Sequence, residues 1–130
     1  MSFTFTGEKT IVVTGTYKNF ISGAGENGFV EFIPNIKSFQ DSTDKFVLTV
    51  PPFIAALPGT IGGNNNQSGT GSFSIIVPCT DNTELVPQGF TYTIIEKVSN
   101  MGNRTTRGVQ IPSTLGSTVD ITTILAPYLS

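Results

Sequence analysis

Two pairs of acids stand close together in the chain: Asp41 with Asp44 in QDSTDK, and Asp81 with Glu84 in CTDNTEL. Glycoside hydrolysis needs two carboxylates facing each other across a gap of roughly 5 to 9 Å, which neighbours on one turn rarely do. Asp, Asn and Thr are also the residues with which a turn hydrogen-bonds its own backbone, so turn chemistry is the expected role of both segments. Neither segment has the alternating oxygen ligands, central glycine and closing glutamate of an EF-hand calcium loop. The chain contains no histidine, which removes the commonest general base, and with it the Ser-His-Asp triad and the Cys-His pair. Its one cysteine, Cys79, has no second thiol for a disulfide and no companion ligands for zinc. A small buried hydrophobe at a strand end is its expected role. No catalytic residue, cofactor or metal is expected.

The glycine-rich stretch LPGTIGGNNNQSGTG, residues 57–71, raises the question of phosphate binding. A P-loop closes with Gly-Lys-Ser/Thr and opens a helix; this stretch has no lysine and runs into the strand-like GSFSIIVP. It is expected instead to connect strands within one sandwich, a loop over about 58–71 that takes a unique shape only against a neighbour. Gly62, Gly63, Asn64, Asn65, Asn66, Gln67 and Ser68 are its candidate partner-contact residues, and deleting 64–68 is expected to leave the fold intact. Lys97, Arg104 and Arg107 in EKVSNMGNRTTR form a candidate basic patch for an acidic partner surface, set against the plainer reading of a solvated turn. The glycosylation sequons at Asn66 and Asn103 are short enough to be accidental.

The elements that must position these residues are bounded by composition. A chain of 130 residues is expected to form one domain with one core. Charged residues make up 12%, against roughly 25% in ordinary soluble domains; Thr and Ser supply the missing polarity. A formal charge of -2 provides no basic field for a phosphate backbone, so nucleic acid is not an expected partner. MSFTFTGEKTIVV lacks the basic start and apolar run of a signal peptide, and no apolar segment approaches the roughly 20 residues of a membrane span. The expected setting is synthesis in a cytoplasm, without membrane anchoring, and release within a particle by lysis.

Period-two alternation runs through most of the chain. TIVVTGTYK, Thr10 to Lys18, sets Ile11, Val13 and Tyr17 on one face. FVEFIP ends in a proline suited to a strand end, KFVLTV is stopped by Pro51 and Pro52, and FIAAL either resumes pairing or bends into another sheet. GSFSIIVPC aligns Phe73, Ile75 and Val77, and GFTYTIIEKV aligns Phe90, Tyr92 and Ile94. With TTRGVQIP and STVDIT these make about seven or eight short strands, the pattern of an all-β antiparallel sandwich or barrel. Only ITTILAPYLS suits a helical turn.

Three ordered segments resemble the small β-rich domain of phage and prophage minor tail proteins, especially those of phages infecting actinobacteria. IVVTGTYKN followed by GENGFVEFIP is similar to that family's opening strand, turn and Phe-x-Pro strand. CTDNTELVPQGFTYTIIEK is similar to its Thr-Asp-x-x-x-Leu-x-Pro-x-Gly-aromatic-x-Tyr block, with Phe90 where the family often has Trp. GSTVDITTILAP is similar to its closing segment. The resemblance implies an immunoglobulin-like or prealbumin-like β-sandwich acting as a non-enzymatic structural protein of a virion, a minor tail or tail-tip/baseplate component. Its implied partners are other virion proteins and copies of itself, reached by the N-terminal segment (about 1–9), the loop at 62–71 and exposed strand edges.

Capsid decoration is one alternative reading. Another is a carbohydrate- or receptor-binding module that takes a host-surface glycan on exposed aromatics. There is no tryptophan, which leaves Tyr17, Tyr92, Tyr128 and some of the ten phenylalanines, and most of these are better explained as core because they alternate with polar residues.

Overall fold

Alternating apolar and polar side chains give each strand one dry face and one wet face, and the dry faces must be buried together. In the computed structural model, which describes residues 10–41, 47–49, 52–57, 70–82, 85–86 and 89–129, they are buried between two sheets. The first contains β1 (Thr10–Thr16) flanked by β6 (Ser72–Pro78) and β10 (Thr118–Asp120). The second has the order β5 (Phe53–Leu57), β2 (Gly28–Pro34), β8 (Tyr92–Val98), β9 (Gly102–Val109). These seven strands make the all-β sandwich that the alternation predicts. A separate ribbon joins β3 (Ser38–Asp41) to β4 (Val47–Thr49) and β7 (Leu85–Val86). FIAAL resumes pairing, as β5 against β2.

One pairing departs from the antiparallel expectation: β10 runs parallel to β1, with Val13 opposite Val119. Parallel neighbours need a crossover rather than a hairpin, and the chain supplies one by passing from β9 through a 3-10 turn at Ser113–Leu115 to the outer edge of the first sheet. The helical turn expected in ITTILAPYLS is α1 (Ile121–Leu125). Its N-cap Asp120 accepts a hydrogen bond from the Thr122 amide at 2.9 Å, satisfying one of the donors a helix start leaves open. The helix buries Ile121, Ile124 and Leu125 and lies against β10, β1 and β9, closing that side of the sandwich, while β5 and β6 meet on the other.

The core is one contiguous cluster. Ile11, Val13, Phe73 and Val77 come from the first sheet, and Val30, Phe32, Leu57, Tyr92, Ile94 and Val98 from the second. Phe32 reaches across to Phe73 with ring centroids 6.4 Å apart and meets Tyr92 edge-on at 6.3 Å. Such aromatic pairs add to the stabilisation of area burial itself. Cys79, directly after β6, is fully buried, as expected.

Among the described residues β9 pairs only with β8. Its strand is polar, carries Arg104 and Arg107, and is bulged where Tyr92 faces Val109 but Ile94 faces Thr106. Gly108 supplies the positive φ of +70° at that bulge. A charged, bulged edge of this kind resists addition of a further strand.

Candidate functional site

The connection from β1 to β2 folds into a small hairpin of its own. The Tyr17 carbonyl accepts from the Glu26 amide at 2.9 Å, Asn19 N donates to Ala24 O at 2.8 Å, and Gly23 N donates to Asn19 O at 2.9 Å. The Asn19 side-chain oxygen accepts from the amides of Ile21 at 2.9 Å and Ser22 at 3.1 Å, the local bonding for which asparagine is favoured in turns. With their backbone committed to this turn, Phe20 and Ile21 stand at the apex, 101% and 93% exposed.

The root of the hairpin is fastened on both sides. Gly71 accepts from the Tyr17 amide at 2.9 Å; it has φ +67°, and a Cβ there would run into the Tyr17 carbonyl and crowd Gly25 and Glu26. Only glycine fits such a close backbone approach. On the other side Asn27 N donates to Ser99 Oγ at 3.2 Å and Ser99 N to Asn27 O at 2.9 Å. That ties the hairpin to the β8–β9 turn. There Asn100, with φ 64°, donates from Nδ2 to Glu26 Oε1 at 3.2 Å. Between the two turns lies a cleft of about 370 Å³ lined by Tyr17, Lys18, Glu26, Val98, Asn100 and Met101, with Phe20 and Ile21 at its rim.

Beneath the cleft a carboxylate is buried. Glu96 is 1% exposed and directly opposite Arg104 in the β8–β9 register. Arg104 donates through Nε to Oε1 at 2.7 Å and through Nη2 to Oε2 at 3.0 Å, the two-pronged geometry that favours arginine over lysine. The Tyr17 hydroxyl donates to Oε2 at 2.5 Å. Burial, and then this bond to Glu96, push the Tyr17 hydroxyl well above the usual tyrosine range. The bond to Glu96 also raises the Arg104 guanidinium. Three donors on one carboxylate hold the first strand, where the Tyr17 ring stacks on Phe73 at 6.4 Å, to the last two strands of the opposite sheet.

The sequence-predicted basic residues do not form one patch. Arg104, partly exposed on the edge strand, reaches over to the buried Glu96, whereas Lys97, the residue after Glu96 on β8, lies on the opposite face and pairs with Glu31 at 3.3 Å. Arg107 sits exposed beside the β9 bulge. Two of the three cations are therefore already matched by acids of the same chain. The loop residues Gly62, Gly63, Asn64, Asn65, Asn66, Gln67 and Ser68 lie outside the described residues, as do the segment 1–9, Asp44 and Glu84.

Asp81 serves a distant segment rather than its own turn, accepting from Ser113 N at 3.0 Å and Ser113 Oγ at 2.8 Å at the start of the 3-10 turn, whereas Asn82 bonds locally, donating to Cys79 O at 2.9 Å. Sequence reasoning missed Phe20, Ile21, Glu26 and Met101. One signal was present: two bulky apolar neighbours inside the turn-rich NFISGAG, where a turn ordinarily shows polar residues. Among the described residues no group of His, Cys, Asp and Glu is placed to hold a metal ion, and no helix is long and apolar enough to cross a membrane.

Comparison of the chain with protein-family models, curated proteins and solved structures finds no match. The structure defines its class: an all-β sandwich carrying an exposed apolar turn beside a small cleft.

Proposed function

We propose that this protein is a non-enzymatic structural component of a phage particle, a minor tail or tail-tip/baseplate subunit that works through protein–protein contacts. The observation that carries the reading is the Phe20–Ile21 apex, two large apolar side chains left in water by a turn whose own hydrogen bonds hold them out. Exposed apolar groups of this size on a fixed support mark a surface that a partner covers. The ordered resemblance of three sequence segments to minor tail proteins supplies the setting. The bulged, charged β9 edge favours packing of surfaces over strand addition as the mode of assembly.

Immunogold electron microscopy of purified particles, with antibodies raised against this chain, tests the reading. Label at the tail or its tip is the expected result. Label over the head would replace the tail assignment with capsid decoration, and particles without label would end the virion reading.

A further inference from the structure

We infer that the cleft between the 19–23 turn and the β8–β9 turn receives a lysine side chain of a partner protein, with Glu26 accepting from its ammonium group. The inference rests on the reading of the chain as an assembly module and names the chemistry at the contact.

The two buried carboxylates at this end of the sandwich are provided for very differently. Glu96 has three donors, two of them on a guanidinium. Glu26, 9% exposed, has one side-chain partner among the described residues, the neutral Asn100 amide on Oε1, and its Oε2 has none. The ion pairs among the described residues are Lys97 with Glu31 and Arg104 with Glu96. Lys18 lines the same cleft but is exposed and is not paired with Glu26. A carboxylate taken this far out of water is stabilised by further donors and by a compensating cation. Glu26 forms part of the cleft wall, so a cation entering the cleft reaches it.

The lining selects the rest of the ligand. Val98, Met101, Phe20 and Ile21 offer apolar contact for a four-carbon stem, the part of lysine that packs on apolar surface while its head stays polar. Arginine is the poorer fit, because its fork favours two carboxylate oxygens and Oε1 is already engaged by Asn100. At about 370 Å³ the cleft lies at the small end of the range of about 300–1,000 Å³ for ligand sites, which suits a single side chain. Phe20 and Ile21 at the rim then meet the partner's surface around that lysine.

Methyl NMR tests the site, because the chain has methionine only at Met1 and Met101 and Met101 lines the cleft. Titration with Nα-acetyl-lysine methylamide is expected to shift the Met101 signal saturably, with a Kd between about 1 and 100 mM. The norleucine analogue, with the same stem and no charge, should bind about tenfold more weakly or worse. Glu26→Gln keeps an acceptor for Asn100 and removes the charge, and should weaken lysine binding by a similar factor. Circular dichroism and thermal unfolding check that this variant is folded, and the norleucine comparison needs no variant at all.

No saturable shift up to about 100 mM lysine probe would overturn the inference. So would equal binding of the norleucine analogue, or undiminished lysine binding by Glu26→Gln. Butylammonium that binds far more tightly than the lysine probe would make a free amine the occupant in place of a partner's side chain. Particle labelling separates this from the functional reading. A protein that labels tails but ignores lysine removes the cleft inference alone, and one that takes lysine but is found on no particle removes the virion assignment alone.

Discussion

At the end of the sandwich built from residues 79–82, Phe90 and Ile111, the buried polar groups are neutral and each is bonded to nearby backbone. Thr80 Oγ1 accepts from the Ile111 amide at 3.0 Å, Asn82 donates to Cys79 O at 2.9 Å, and the Tyr92 hydroxyl donates to Pro78 O at 2.6 Å. Bulky apolar residues there point inward: Phe90 and Ile111 are 4% and 0% exposed. At the opposite end, built from 17–27 and 99–101, the buried polar groups are the carboxylates Glu26 and Glu96, and the bulky apolar residues Phe20 and Ile21 are outside. Among the described residues the first end is a closed corner. The second inverts the usual placement, and apolar side chains left in water signal a surface completed by something else.

The largest break in this contrast should come from Gly71→Ala. The new Cβ collides with the backbone at the root of the hairpin and sits at a φ that L-residues rarely adopt, a combination that costs about 3 kcal/mol or more. Urea unfolding of the variant is the measurement, and a loss below about 1 kcal/mol would mean that the root yields easily and does not hold the apex.

High pH should act on both ends together. Burial first raises both hydroxyls, helped at Tyr17 by the bond to Glu96 and at Tyr92 by the neighbouring Cys79. The folded chain therefore keeps two protons that the unfolded chain releases near pH 10. The stabilisation is fully present below that pH and is lost above it, with a slope approaching two protons per molecule. Stability measured from pH 8 to 11.5 checks this; a flat profile above pH 10 would show that both hydroxyls ionise in the folded state, and a one-proton slope that one of them does.

Charge deletion should separate the ends again. Arg104→Ala leaves Glu96 buried with only the Tyr17 hydroxyl as donor, at a cost of about 2 kcal/mol once the partial exposure of Arg104 is allowed for. Asn82→Ala, which removes the bond to Cys79 O at the closed corner, should cost less than this, since no charge is left buried. Equal losses in denaturant unfolding would erase the distinction between a charged and a neutral buried network.

The smallest expected effect on stability belongs to Phe20→Ser with Ile21→Ser. Side chains that bury nothing in the isolated chain should change unfolding by no more than about 0.5 kcal/mol. A larger loss would place them in the fold's own packing.

The closed corner was legible in the sequence because its signals are local. Alternation in GFTYTIIEKV puts Phe90, Tyr92 and Ile94 on one face, and all three are buried. The same alternation places Glu96 on that face, a strand position where the type of residue argues for the surface and the period argues for the core. The period won, because Arg104 on the adjoining strand and Tyr17 from the opposite sheet supply the donors that a buried carboxylate requires. The basic residues were misleading for a related reason. Spacing in EKVSNMGNRTTR suggests a cluster, but the pleat sends Arg104 and Lys97 to opposite faces, and each meets an acid there.

By itself the sequence determined the all-β class, most of the sandwich strands with their dry faces, the buried cysteine and the short C-terminal helix, but not β3, β7 or the separate ribbon they form with β4. Each feature it determined follows from a period, a cap or a breaker that acts within a few residues. Only the tertiary structure decided that Tyr17 finds Glu96 across 79 residues of sequence, that β10 returns parallel to β1, and that Phe20 and Ile21 remain in water. Burial depends on what the rest of the chain brings alongside, and no element of the described chain comes to cover that turn.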